Sequence, residues 1–260
     1  MRPSSPLLLL LALTACSNHF TPLQNRIAVG KSSYVVFAAD GEGGQGDLYA
    51  LDAVGGSPWA FTFSLADESQ PALDPSGLMV AFVRTPNDTD RSARRVWVMN
   101  LLSGSERELP PLGAGIIPEA VAWARDGRTI YVATANGPWS AAAPPADPAP
   151  HRLAGPDSLA GDSELAVLVG DPPFARVGPC AAGTHDLCAF APGRPPALLD
   201  SIARDPLRWG GDSLGYFIGD RLVVRPVGPG RVRELHIERL PPHPRQATWF
   251  PGLPESTPAR

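Results

Sequence analysis

Gly211-Asp212-Ser213-Leu214-Gly215 has the G-x-S-x-G spacing of a nucleophile elbow, where a serine on a strand-to-helix turn attacks an acyl carbon. Such a serine needs a histidine to take its proton and an acid to orient that histidine. The chain has five histidines, His19, His151, His185, His236 and His243. None pair at i, i+4, none sit in H-E-x-x-H, and none can be assigned to Ser213. The segment reads instead as a turn between two strands, the place taken by Asp126-Gly127 and Ser76-Gly77 elsewhere in the chain. Asp74, Glu119, Asp205 and Asp212 lie near predicted inner strands. Paired carboxylates about 5–10 Å apart would suit glycan hydrolysis, but no spacing here pairs any two. Asp40-Gly41-Glu42-Gly43-Gly44-Gln45-Gly46-Asp47 spaces carboxylates along a Gly-rich loop. It lacks the regular ligand spacing of a calcium loop and reads as a long hairpin turn. Asn87 to Arg91, with Arg94 and Arg95, reads as a charged, solvated hairpin tip. No catalytic residue, metal site or cofactor is expected.

The N-terminus carries a different chemistry. Arg2 precedes an apolar run, Leu7 to Leu13, followed by Thr14-Ala15-Cys16. A basic start, a short apolar segment and small residues before a cut mark a secretory signal. The run is well short of the ~20 residues that span a bilayer. Leu13-Thr14-Ala15-Cys16 resembles the lipobox of bacterial lipoprotein precursors. The resemblance implies cleavage before Cys16, a thioether-linked diacylglycerol on its sulfur and an acyl chain on the new amino group. Each buried methylene contributes about 0.8 kcal/mol, so several acyl chains anchor a protein nearly permanently. Ser17 at the next position, in place of Asp, resembles the outer-membrane default of Gram-negative lipoproteins. The partner implied is a lipid bilayer, held through Cys16, with the folded part facing the periplasm or the exterior. Inner and outer membrane both stay open.

Cys180 and Cys188 are the other cysteines, flanking a seven-residue stretch suited to a hairpin connection. Export to an oxidising space permits a Cys180–Cys188 disulfide. Two small buried thiols on facing strands are the other reading. Hydrophobic residues make up 43% and charged residues 18%, which excludes a disordered chain. A net charge of -4 leaves no basic footprint for nucleic acid. The 26 glycines and 31 prolines are spread along the chain, as frequent turns between short strands require.

Three elements recur in order. A strand ending in a turn appears at Ala72 to Gly77, Ala122 to Gly127, Arg208 to Asp212 and Thr248 to Gly252, with a worn copy near Val167 to Asp171. An apolar strand follows it: Met79 to Val83, Thr129 to Ala133, Leu214 to Ile218. A third strand comes at Asp47 to Asp52, Arg95 to Asn100, Asp186 to Phe190 and Arg221 to Arg225. Short fourth strands close the units, as at Glu106 to Leu109 and Arg231 to Leu235. A period of roughly 40–50 residues is the range of propeller blades. The fold class expected is all-β: a β-propeller of five four-stranded blades, or six if the irregular middle merges two. Residues 33–64 hold a second, third and fourth strand but no first. The missing first strand stands at the far end, Ala247 to Gly252, so the C-terminus completes the first blade and closes the ring. The blades are 32–64 with 246–252, then 65–113, 114–154, 155–200 and 201–245. Signal peptide 1–15, lipidated cysteine and tether 16–31, propeller 32–252 and tail 253–260 complete the division. Trp97, Trp123, Trp209 and Trp249 are read as recurring at equivalent strand positions in the blade core.

Residues 65–113 resemble the repeat of TolB-type, WD-like β-propellers, through Gln70-Pro71-Ala72-Leu73-Asp74-Pro75-Ser76-Gly77 and Val96-Trp97-Val98-Met99-Asn100. Residues 119–153 match at their first two strands, and 155–200 match by position alone. The resemblance implies an envelope binding module, since that family binds peptidoglycan-associated lipoprotein and colicin-like partners in the periplasm. The family's N-terminal domain has no counterpart here, so the Tol role is not carried over. The function expected is a non-catalytic module for an envelope protein or glycan, presented on loops at the channel mouth. The alternative is a propeller-based hydrolase of a glycan or lactone.

Overall fold

The computed structural model describes residues 23, 26–86, 90–145, 149–153, 167–170, 173–179, 187–190, 197–200, 204–209, 213–226 and 230–253. Cys16, Cys180 and Asp212 lie outside them, as do His19 and His185. Cys188 falls within a described strand, but its side chain is not placed.

Twenty strands make five antiparallel four-stranded sheets among the described residues. The first sheet is β1 (Tyr34–Asp40), β2 (Gly46–Asp52) and β3 (Trp59–Ala60), with β20 (Arg245–Phe250) paired to the free edge of β1. The second is β4 (Asp67–Leu73), β5 (Met79–Thr85), β6 (Arg95–Asn100) and β7 (Glu106–Glu108). The third is β8 (Pro118–Trp123), β9 (Thr129–Thr134), β10 (Trp139–Ala142) and β11 (His151–Arg152). The fourth is β12 (Val167–Gly170), β13 (Pro173–Pro179), β14 (Leu187–Phe190) and β15 (Ala197–Asp200). The fifth is β16 (Arg204–Trp209), β17 (Ser213–Ile218), β18 (Arg221–Pro226) and β19 (Arg233–His236). Each expected unit holds one sheet, and the first contains the C-terminal strand: Tyr34 pairs with Phe250 and Val36 with Thr248. The first strands approach one another in the order β20, β4, β8, β12, β16, and β16 in turn approaches β20.

Why the second strands are apolar runs is clear from what each face meets. On β1, Tyr34, Val36 and Ala38 pack toward the second sheet with Val80, Phe82, Met99 and Leu101. Val35, Phe37 and Ala39 pack the other way, against Phe217, Leu222 and Val224 of the fifth sheet. On β5 the alternation repeats: Val80 and Phe82 face the first sheet, Ala81 and Val83 the third. A strand buried on both faces needs apolar residues at every position, so period-2 alternation of polarity disappears. Phe37 adds an edge-on contact with Phe217 at 5.3 Å between ring centres.

The segment read as a tether is not free along its described part. Leu23, Ile27 and Val29 are buried in the seam between the first and second sheets, beside Phe61, Phe82 and Leu101. Among the described residues the packed part therefore reaches back to Leu23. The tryptophans differ from expectation too. Trp123 and Trp209 end first strands and Trp249 lies one residue from the end of β20, but Trp97 is a half-buried residue of a third strand.

The turn after β4 sets a strict demand at one glycine. Gly77 has φ +66°, and a Cβ there would lie 2.6 Å from the Phe250 ring. Gly127 has the same φ, but its nearest neighbour would be Pro75 Cδ at 3.7 Å. Gly77→Ala should thus cost about 2–4 kcal/mol, combining left-handed backbone strain with overpacking, and Gly127→Ala about 1–2 kcal/mol. Urea denaturation of the two variants checks the difference, and equal losses would discard the packing account.

Candidate functional site

The first strands share a defect that shapes the site. Register breaks between Ser69 and Ala72 on β4, between Pro118 and Ala120 on β8, between Arg204 and Leu207 on β16, and opposite Val36 and Ala38 on β20. Gln70 and Gln246 occupy the bulges in left-handed backbone, φ 54° and 55°. A bulge leaves backbone groups that the ladder does not use, and buried ones must find other partners. Here the next sheet supplies them. The Gln70 N–H donates to Gln246 Oε1 at 2.6 Å, and the Leu73 N–H to Thr248 Oγ1 at 3.3 Å. Trp123 Nε1–H donates to the Ala72 carbonyl at 2.9 Å. Side chains from β20 and β8 thereby stitch both of their strands to β4. The shared pattern was readable: Gln70-Pro71-Ala72-Leu73-Asp74-Pro75 and Gln246-Ala247-Thr248-Trp249-Phe250-Pro251 both place Gln five residues before Pro.

At the C-terminal ends of these strands opens a cavity of about 420 Å³. Its walls include Leu73, Val121, Trp123, Trp249 and Phe250, with Arg125 at the exposed end. Trp123 and Trp249 therefore line this cavity as well as bracing the sheets. The polar groups in the wall hold the scaffold. Thr248 Oγ1 accepts from Leu73, and Trp249 Nε1 donates to Ser33 Oγ at 2.7 Å. Asp74 is taken up by its own turn. Its Oδ1 accepts from the Leu78 and Met79 N–H groups at 2.9 and 2.8 Å, and its Oδ2 from the Ser76 N–H at 3.1 Å. Asp74 thus acts as a turn former.

Glu119 lies near the other end of its strand, in a separate cleft of about 130 Å³ with Arg91, Arg94 and Asn136. Burial pushes its carboxyl up, against the opposing charges of Arg94 and Arg91. Asp74 and Glu119 are not brought together. Asp205 falls on β16, whose side chain there is not placed. Ser213 opens β17, so a strand follows the G-x-S-x-G segment where an elbow needs a helix.

Near the N-terminal end of β4 a charged network joins the first two sheets. Arg84 donates through Nε and Nη2 to Glu68 Oε1 at 3.0 and 2.6 Å, and through Nη1 and Nη2 to Glu106 at 2.7 and 2.9 Å. Its guanidinium lies 4.5 Å from the centre of the Trp97 ring and 5.1 Å from that of Phe82. Glu68 is 0% exposed, and burial pushes its carboxyl up against the pull of Arg84. Arg245 bridges Asp40 at 2.9 Å and Asp67 at 3.0 Å. His243 Nδ1 contacts Asp40 Oδ2 at 2.6 Å. Partial burial works against ionising Asp40, but the hydrogen bonds and charges of His243 and Arg245 hold its carboxyl below the usual range. Asp47, at the far end of the Gly-rich hairpin, accepts from the Ser64 N–H at 3.2 Å. Asp40 and Asp47 serve different partners, and among the described residues no three acid, His or Cys side chains are grouped to hold a metal. Two of the other described histidines have partners near in sequence: His151 meets Ser140 Oγ, and His236 meets Asp220 at 3.3 Å.

Burial and the neighbouring Glu68 and Asp67 carboxylates raise Asp47 to about 6. Between about pH 4 and 6 the folded chain then holds a proton that the unfolded chain, with an ordinary carboxyl near 3.8, has already lost. This group penalises folding fully above pH 6, and the penalty fades as pH falls toward 4. Asp47→Asn keeps an oxygen for Ser64 and removes the charge. It should stabilise the protein at pH 7 by about 1–3 kcal/mol and by little at pH 4. Urea midpoints at the two pH values decide, and an equal gain at both would exclude titration as the cause.

No family model matches the chain, and no curated protein matches it. Among solved structures, TolB from Acinetobacter baumannii is similar at 12% identity and a TM-score of 0.47, over 87% of this chain and 69% of that one. A TolB candidate from Agrobacterium tumefaciens is similar at 15% identity and a TM-score of 0.39, over 77% of this chain and 60% of that one.

Proposed function

We propose that this chain is an extracytoplasmic lipoprotein, anchored in a membrane through Cys16. Its five sheets close into a β-propeller that binds an envelope protein or glycan without catalysis. The observation that carries the reading is the cavity at the C-terminal ends of the first strands. Once the strands form a ring, that cavity is the mouth of the axial channel. Its walls are aromatic and aliphatic, and the acid in its wall, Asp74, is spent on its own turn. Apolar concave sites with few polar groups suit recognition, and aromatic and arginine anchors carry most of the energy in such contacts. Asp74 and Glu119, the candidate acids whose side chains are placed, stand at opposite ends of the first strands, which disfavours a paired-carboxylate hydrolase.

The cysteine assignments belong to the same proposal: acylation of Cys16, and a disulfide between Cys180 and Cys188 formed after export. The test uses the chain from residue 17 as bait on detergent-solubilised envelope from the source organism. A parallel bait carries Arg125→Glu and Pro75→Glu, both exposed residues at the cavity. A protein or glycan retained by the parent should be lost by at least about tenfold in the rim variant, the scale of one hot-spot contact, with the circular dichroism unchanged. Equal capture by both baits would move the site elsewhere. Turnover of a glycan or lactone by the parent would replace the binding reading with a hydrolase.

A further inference from the structure

The anchor and the fold are joined by a short link. Residues 17–22 are all that separate Cys16 from Leu23, which is 1% exposed in the seam between the first two sheets. Seven peptide steps reach at most about 25 Å when fully extended. A headgroup layer is on the order of 5–8 Å thick. On the reading that Cys16 is acylated, the folded part is therefore held against the bilayer, with the seam around Leu23 closest to the anchor.

That seam carries an unusual row. Trp59, Phe61, Phe63 and Leu65 alternate along the fourth strand of the first sheet and the loop beyond it. Phe61 is buried in the same cluster as Leu23, and Trp59 packs against that cluster. The row then leaves the sheet: Phe63 is 48% exposed and Leu65 85%. The loop between them is held in shape. The Ser64 N–H donates to Asp47 Oδ1, and Ser64 Oγ donates to the Ala66 carbonyl at 3.0 Å and accepts from the Ala66 N–H at 3.2 Å. Arg26, three residues after Leu23, lies 5.2 Å over the Trp59 ring. Val54, Leu102, Val232 and Leu253, the other exposed large apolar residues described, belong to no such alternating run along the chain.

We propose that Phe63 and Leu65, with the Trp59–Arg26 pair beside them, seat this protein on the phospholipid surface that holds its anchor. Phenylalanine and leucine enter the boundary between headgroups and acyl chains, and a Trp–Arg pair suits the headgroup level. The nearby acids do not oppose this. Glu68 is covered and paired with Arg84, Asp67 is bonded to Arg245, and Asp47 is buried and bonded to the Ser64 N–H. The seating is thus apolar, and it should depend little on the content of anionic lipid.

The experiment tethers the chain without relying on acylation. Residues 17–260 carry a hexahistidine tag before residue 17 and are held on phosphatidylcholine vesicles containing a nickel-chelating lipid. Hydrogen exchange is compared with and without vesicles. Backbone amides of 61–67 should slow by about tenfold on the vesicles, as about 1.4 kcal/mol of added local stability gives. The double variant Phe63→Ser, Leu65→Ser should lose that slowing while staying tethered, and the control Val54→Ser, Leu102→Ser should keep it. Unchanged exchange at 61–67, or equal loss in both variants, would overturn the seating. The intact mass of the chain expressed with its signal separately reports whether Cys16 is acylated, so the two readings fail independently.

Discussion

Arg84→Met should lower the unfolding free energy by about 3–5 kcal/mol, the range for stripping one partner from a buried ion pair. The reason lies in Glu68, which is 0% exposed and whose Oε1 takes two hydrogen bonds from Arg84. Without the guanidinium, that carboxylate must stay buried and uncompensated or take up a proton. Methionine keeps much of the apolar stem over Phe82 and Trp97, so the loss reports the charge more than the packing. Arg84→Lys should lose about 1–2 kcal/mol, because an ammonium cannot fork to Glu68 and Glu106 together. Adding Glu68→Leu to Arg84→Met should recover most of the loss, since well-packed apolar residues often replace a buried pair at little cost. Urea denaturation of the three proteins measures all of this. A loss below about 1 kcal/mol for Arg84→Met would mean the pair behaves as a surface bridge.

The larger effect belongs to the closing strand. Removal of residues 245–253 should abolish cooperative unfolding altogether. The deletion exposes the edge of β1 and leaves the Gln70 and Leu73 N–H groups without Gln246 and Thr248. It takes Arg245 from Asp40 and Asp67, and Ala247 and Phe250 from two hydrophobic clusters. Lost burial at about 1.5–3 kcal/mol for a large apolar side chain, added to unpaired backbone groups at about 1–3 kcal/mol each, matches or exceeds the whole stability of an ordinary domain, about 5–15 kcal/mol. Near-ultraviolet circular dichroism and a thermal melt are the measurements. A sharp transition in the truncated chain would show that the five sheets, the first reduced to three strands, stand without it. Addition of a peptide spanning 244–253 should restore the transition, since β20 joins the first sheet through antiparallel pairing to β1.

Both effects bear on the candidate binding site. The cavity lies where β20, β4 and β8 end together, and β20 reaches that place only by pairing with a strand some two hundred residues earlier. Its wall therefore depends on the pairing of β20 with β1. A ligand bound there would touch three sheets at once and should raise the thermal midpoint by mass action.

From the residues alone, the strand order could be read because turns are local. Asp-Pro-Ser-Gly at 74–77 and Arg-Asp-Gly at 125–127 force reversals whatever surrounds them, and the apolar runs between them have strand length. The split first sheet followed by subtraction, since Tyr34 to Phe37 begins at a second strand and Thr248 to Phe250 has no other partner. Leu13-Thr14-Ala15-Cys16 reads as lipobox-like because that resemblance is a contiguous string, and the acylation of Cys16 belongs to the proposal. The weak stretch, β12 to β15, was hard to place because Pro173 and Pro179 bound a strand with a glycine inside, against ordinary strand preference. Trp97 is read within the third strand Arg95 to Asn100, where it lies, but is grouped with tryptophans that stand at or near the ends of first strands, because residue type alone does not tell one strand of a unit from another. Only the tertiary structure decided what the charges do. Arg245 meets Asp40 across 205 positions, and Gln246 meets Gln70 across 176. Such pairings depend on which strand ends the packing of sheets brings together, and side-chain reach is a few ångströms, so no spacing along the chain encodes them.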